Sequence, residues 1–320
     1  MVSRFSVAAD MGISGNRIAF LIPGEVTDGF LSQVAMFNVT LRSQKAPLCD
    51  ARLIAFLGCE DGVEVPERWR RHLKDVEFRL IRRPESERQK MVQAPMRFMI
   101  DDPDLDYVFL CDADTLLTGD LREVLAQLAC GFPVAGALAH LPPRGMETAE
   151  SWQALSTATT GRPIELRYKY TLTHPNIALR APFYLNHGFI AFRTDALREF
   201  QQLYPELRQK AADVLEMPNF AGQVGLSLTV NALGWEGSVL PLRFNFPNDI
   251  RAYAMHPYEG SDIRLLHYLR ENAFRRSTLF ADKAAFDAFM GSAPQQSDQH
   301  FHQALMNLTN GEYPFATDVT

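Results

Sequence analysis

Cysteine is scarce in this 320-residue chain: Cys49, Cys59, Cys111 and Cys130 form no C-x-x-C pair and lack zinc-ligand spacing. A disulfide-stapled scaffold or a zinc ribbon is therefore not expected, and a reduced, cytoplasmic protein is. A basic excess is also missing. The formal net charge is -6, whereas a nucleic-acid partner calls for a positive face, so none is expected. The basic stretches at residues 68–74 and 82–90 read as solvated helix faces.

No uninterrupted apolar run is long enough to span a bilayer. The nearest candidate, residues 124–141, contains Gln127, Gly131, Pro133 and Gly136, and reads as a helix end followed by a buried strand. The opening MVSRFSVAADMGISGN lacks the apolar core of a secretory signal. Internal repeats and low-complexity tracts are absent too. What is present is ordinary for a globular chain, 47% hydrophobic and 22% charged residues, enough to bury one large α/β core with an appendage.

Residues 1–16 read as a loose leader. Residues 17–23 (RIAFLIP) make a strand that ends at the Pro23-Gly24 turn signal, and residues 29–41 carry helical periodicity through Phe30, Leu31, Val34, Phe37 and Leu41. Further strands are expected at residues 52–57, 76–81 and 106–111, with helices at 66–74 and 87–100. Strands alternating with helices predict an α/β fold, a mainly parallel sheet covered on both faces, with ligands at the carboxyl ends of its strands. That places Pro23, Gly24 and Glu25, residues 58–61, and Asp112 to Asp114 on one rim. Beyond it come a helix at 121–129, a strand at 133–139, and a polar, basic stretch at 141–182 with one helix near 148–156. Strands at 188–193 and 237–241 follow, then helical pieces from residue 276, the clearest at 283–289.

The motif that carries chemistry is Asp112-Ala113-Asp114, directly after the apolar run Tyr107-Val108-Phe109-Leu110. In extended chain, residues two apart point the same way, so both carboxylates can converge on one cation. Hard oxygen ligands favour Mg²⁺ or Mn²⁺, with phosphate oxygens and water completing the shell. Such an ion neutralises the charge that builds on a departing diphosphate. Two other readings stay open here. Asp112 could cap the next helix in a merely acidic loop. Alternatively, Asp-x-Asp after an apolar strand suits a phosphatase of the haloacid dehalogenase type, with Asp112 as nucleophile. Against that, Thr115 comes one place early, and the only downstream lysines are Lys169, Lys210 and Lys283.

With this motif in place, the chain resembles the family-8 glycosyltransferases, retaining enzymes of the GT-A fold that include lipopolysaccharide galactosyl- and glucosyltransferases and glycogenin. Four further stretches match in order over about residues 17–275: APMRF at 94–98, YLNHGFI at 184–190, QVGLSL at 223–228 with LPLRFN at 240–245, and LLHY at 265–268. The resemblance implies a metal-dependent transfer of a hexose from a nucleotide-diphosphate sugar, such as a uridine-diphosphate sugar, to a hydroxyl of a carbohydrate or other acceptor. It implies that Asp112, Asp114 and His267 ligate Mn²⁺ or Mg²⁺, and that Arg97, Asn186 and Gly188 lie against the donor. Gln223 would stabilise positive charge on the reacting sugar. A neutral amide is a poor nucleophile, so same-face attack guided by the leaving phosphate is expected rather than double displacement. The sequence also departs from the family. Gly222 stands where an acidic residue usually precedes the glutamine, and the family's Gly-Lys directly after the histidine is replaced by Tyr268-Leu269-Arg270, leaving Arg270, Arg275 or Arg276 to clasp phosphates. The first strand ends Ile22-Pro23-Gly24-Glu25 instead of in the usual base-binding turn. A protein that binds the sugar nucleotide without turning it over is the further alternative. Residues 141–182 are expected on the acceptor side, and residues 276–320 form a helical appendage.

Overall fold

The computed structural model describes residues 13–82, 98–174 and 177–315. Its centre is a seven-stranded sheet in the order β3-β2-β1-β4-β7-β6-β8. The strands are β1 (Ile18–Glu25), β2 (Arg52–Cys59), β3 (Val76–Arg82), β4 (Tyr107–Cys111), β6 (Val134–Leu138), β7 (Leu185–Arg193) and β8 (Ser238–Val239). Pairing is parallel from β3 to β4, while β7 runs antiparallel to both β4 and β6. A smaller sheet orders β5 (Thr115–Leu117), β10 (Leu265–His267) and β9 (Phe246–Pro247) as β5-β10-β9.

The sheet forms because its strands are apolar on both faces. Ile18, Phe20 and Ile22 of β1 enter one core with helix α1 (Asp28–Arg42). Ala19 and Leu21, on the opposite face, enter a second core with Leu197, Phe200 and Tyr204 of α4 (Thr194–Val214) and with Leu226 and Val230 of α5 (Ala221–Leu233). Two-sided burial is what turns a period-two strand into a continuous apolar run. Helices α2 (Arg122–Ala129) and α3 (Ala149–Thr160) complete this middle portion. Thr27 caps α1 by accepting from the Phe30 amide, and α3 closes on Gly161 at φ 70°, a left-handed position that suits glycine.

β1 runs past the expected turn, through Pro23 and Gly24 to Glu25. Its pairing with β4 stops at Leu21 while β2 accompanies it to the end, so Pro23 falls where the strand has a neighbour on one side only. The expected helix at 66–74 shortens to one turn, Glu67–Arg70, and the one expected at 87–100 begins outside the described residues.

Residues 276–315 pack into the same core as β1 and α1. Phe280, α6 (Lys283–Met290) and α7 (Gln299–Thr309) bring Phe286, Phe289, Phe301 and Leu305 into it. Tyr268, the residue after β10, stacks on Phe301 with ring centroids 4.6 Å apart at 10°. Aromatic burial of this kind fixes the loop between β10 and α6 from below. Among the described residues no helix is long and apolar enough to cross a membrane.

Candidate metal and diphosphate site

The parallel strands β1 and β4 end side by side. Leu21 pairs with Leu110, so two residues further on Pro23 stands level with Asp112 at the carboxyl rim. Asp112-Ala113-Asp114 is a turn here, not extended chain. Four bonds pin it: Asp112 N–H donates to Gly188 O (3.1 Å), Thr115 Oγ to Asp112 O (2.7 Å), Tyr268 N–H to Asp114 O (3.0 Å) and Tyr268 Oη to Ala113 O (3.2 Å). The antiparallel pair β5–β10 then sets His267 opposite Thr115, beside the acidic turn. Carboxylate oxygens of Asp112 and Asp114 and an imidazole nitrogen of His267 all lie within 4.8 Å of one another. His267 Nε2 is 3.3 Å from Asp114 and 3.9 Å from Asp112.

The imidazole's tautomer is set by a relay that starts at a backbone amide. Gly188 N–H donates to Asn186 Oδ1 (2.8 Å), which fixes that atom as the oxygen. Asn245 then turns its Nδ2 toward the same oxygen (3.0 Å), leaving its Oδ1 to accept from His267 Nδ1–H (3.0 Å). Nε2, the atom facing both carboxylates, is therefore the lone-pair nitrogen of the neutral ring. That is the arrangement by which a second shell presents a histidine to a metal. Gly188 is required for this approach: a Cβ there would sit 2.3 Å from His267 Nδ1 and 2.6 Å from Asn245 Oδ1. Two carboxylates and one imidazole, oriented from behind and brought within one ion's reach, fit Mn²⁺ or Mg²⁺.

Within the cluster the protein's own charges answer one another. Asp114 is buried, and burial alone would push its carboxyl up. The His267 imidazole and the Arg276 guanidinium together hold it well below the usual carboxylate range. Burial likewise opposes the imidazolium of His267, but Asp114 and then Asp112 raise it above the ordinary histidine value. Arg276 Nη1 donates to Asp114 Oδ2, the oxygen His267 leaves free.

The remaining expected site residues divide. Pro23, Gly24 and Glu25 lie on the rim beside Asp112, with Gly24 packed on Phe30 and Leu57. Asn186 and Gly188 come to the cluster, Asn186 through its bond to Asn245. Gln223 opens α5, one helical turn before Ser227, whose hydroxyl donates to Phe183 O just ahead of β7 (2.9 Å). Gln223 thus stands on the helix turn next to the one that meets the chain leading to Asn186. Arg270 turns away to Asp249, 3.1 Å distant, and Arg275 is 3.5 Å from Glu271. Arg97 lies outside the described residues. Of the lysines a dehalogenase-type nucleophile at Asp112 would call on, Lys210 pairs with Glu206 and Lys283 with Asp287.

Asn245 and Tyr268 fall within the LPLRFN and LLHY stretches but have no role expected from sequence, because pairing between β9, β10 and β5 is what makes them neighbours of the motif. Beyond them lies His140, just after β6, whose Nδ1 is 2.8 Å from Thr171 Oγ. Burial first, and then the charges of His267 and Arg270, push its imidazole down to about 3.

No protein-family model and no curated protein sequence matches this chain. Among solved structures, mouse xyloside xylosyltransferase 1 in its apo form is similar at 13% identity, covering 80% of this chain and 99% of that one, with a TM-score of 0.49. The apo bifunctional glycosyltransferase WbbM is similar at 13% identity over 93% of this chain and 52% of that one, with a TM-score of 0.48. At such identity and TM-scores the likeness does not decide this chain's chemistry, which rests on its own residues.

Proposed function

We propose that the protein is a metal-dependent glycosyltransferase that moves a hexose from a nucleotide-diphosphate sugar, a uridine-diphosphate sugar in the simplest case, to an acceptor hydroxyl with retained configuration. The observation that carries this is the convergence of Asp112, Asp114 and a tautomer-fixed His267 at the carboxyl rim of a parallel sheet, where diphosphates are bound in α/β folds. Asp112, Asp114 and His267 would hold Mn²⁺ or Mg²⁺. The ion, when bound, supplies positive charge against the diphosphate oxygens.

The chain's own residues supply the rest. Pro23 to Glu25 border the place of the base, and Asn186 and Gly188 secure the imidazole from behind. Gln223, at the mouth of α5, would set an amide dipole toward the sugar face. Residues 141–182 form the acceptor side, tied to the rim where Thr171 N–H donates to Ala139 O (3.1 Å) and Leu172 N–H to His140 O (3.0 Å).

Calorimetric titration of uridine diphosphate, followed by turnover of a panel of uridine-diphosphate hexoses, tests the assignment. Binding is expected to need Mn²⁺ or Mg²⁺ and to vanish in Asp114→Ala. Nucleotide binding of equal strength without a cation, or in that variant, would overturn it.

A further inference from the structure

Arg276 occupies the acidic pair without belonging to the metal-ligand set. Asp114 offers one oxygen to His267 and the other to the Arg276 guanidinium. A divalent ion held by the three candidate ligands has to share Asp114 with a cation already tethered there.

The tether is firm in its backbone and partly exposed along its side chain. Arg276 opens a short helix, Arg276–Leu279, and its amide donates to Glu271 Oε1 (2.8 Å). The next residue, Ser277, packs so closely on α1 that a Cβ on Gly29 would stand 2.8 Å from Ser277 O. Leu279 and Phe280 anchor the segment in the core. The side chain itself keeps 38% of its surface exposed, and its Nε lies 3.7 Å from Glu271. The guanidinium can therefore leave Asp114 by rotation about its own stem, without the backbone moving.

We propose that Arg276 is an internal counter-cation that competes with the divalent metal for Asp114, and that an incoming diphosphate releases Asp114 by taking the guanidinium in exchange. The inference rests on the metal site proposed above and adds an order to its filling. Guanidinium groups match phosphate oxygens with forked donors, so the exchange trades one charge-assisted pair for another. By linkage, metal and diphosphate then strengthen one another's binding by the same factor, and Arg276 carries part of that coupling. The site stays closed to free metal and opens when both ligands are present.

The test is calorimetry of Mn²⁺ alone, and of Mn²⁺ in the presence of inorganic pyrophosphate, which avoids any question of the base. Wild type is compared with Arg276→Met and with Arg276→Gln, each checked for native circular dichroism; the glutamine variant serves should the methionine variant not fold. Losing a partly exposed charge-assisted bond to Asp114 is expected to tighten binding of Mn²⁺ alone by about tenfold. In the same variants the gain in Mn²⁺ affinity from pyrophosphate should shrink by a similar factor. Folded variants that bind Mn²⁺ alone no better than wild type would overturn the competition. If wild type and variants all fail to bind Mn²⁺ even with pyrophosphate, the metal site itself is wrong and the inference falls with it.

Discussion

Replacing Gly188 by alanine adds one methyl group and removes none of the proposed ligands, yet should dismantle the site. The new Cβ would stand 2.3 Å from His267 Nδ1 and 2.6 Å from Asn245 Oδ1, where ordinary contact begins at 3.4 Å. Something must move by about an ångström. The backbone cannot give easily, because β7 is hydrogen-bonded between β4 and β6. His267 and Asn245 are 5% and 0% exposed, so neither has open space to enter. Overpacking costs about 1–3 kcal/mol, and breaking the buried Nδ1–H···Oδ1 bond adds about 1–3 kcal/mol. A total near 3 kcal/mol corresponds, for a chain of 320 residues, to a fall in melting temperature of roughly 4–5 °C. Thermal unfolding followed by circular dichroism reads the first effect, and Mn²⁺ calorimetry reads the second, a loss of at least about tenfold in affinity from displaced second-shell support. An alanine variant that melts within a degree of wild type and binds Mn²⁺ equally well would show that the imidazole is not held against β7 in this way.

Asn245→Leu keeps the branched shape but leaves His267 Nδ1–H without its acceptor and Asn186 Oδ1 with the Gly188 amide alone, so Mn²⁺ affinity should fall about 10–100-fold; unchanged affinity by calorimetry would sink the relay. Phe301→Ala should cost about 3–5 kcal/mol in chemical denaturation, because that ring stacks on Tyr268 within the main core. A loss under about 1 kcal/mol would make the C-terminal helices a detachable appendage after all. His140 predicts an acid dependence. Its folded value, pushed down to about 3, lies below the unfolded histidine value of about 6.5, so the unfolded chain takes the proton first. The stability of the neutral buried ring is complete above about pH 6.5 and is lost as pH falls toward 3, by up to about 1.4 kcal/mol per pH unit. His267, raised by its carboxylates, acts with the opposite sign, its contribution present at low pH and lost as pH rises through its folded value. Denaturation of wild type and His140→Gln between pH 7 and 5 therefore isolates His140, and identical slopes in the two would refute the assignment.

Much of the sheet was legible because its strands are short apolar runs bounded by turn signals, as in residues 52–57 and 107–111. The 21-residue helix α4 was not foreseen, although Leu197, Phe200, Tyr204, Leu207 and Ala211 recur on one face; Pro205 interrupts the pattern. Strands of two or three residues, such as β5 and β9, carry no periodicity at all, and they are the elements that bring His267 to the acidic turn. The Asp-x-Asp pair was readable as chemistry from its place after a buried strand. His267 was reachable through family resemblance alone, since nothing local joins it to residues 112–114. Which arginine would meet the acidic pair depended on the loop after β10: Tyr268 stacks inward, Arg270 is caught by Asp249, and the chain returns to α1 at Ser277, so the choice falls on Arg276.

The central claim, that Asp112, Asp114 and His267 together hold one divalent cation, is tested most directly by electron spin-echo envelope modulation of the Mn²⁺-loaded protein. Wild type is predicted to show nitrogen coupling from one directly bound imidazole, absent in His267→Gln. Bound Mn²⁺ without that coupling in wild type, or with the coupling intact in His267→Gln, would contradict it.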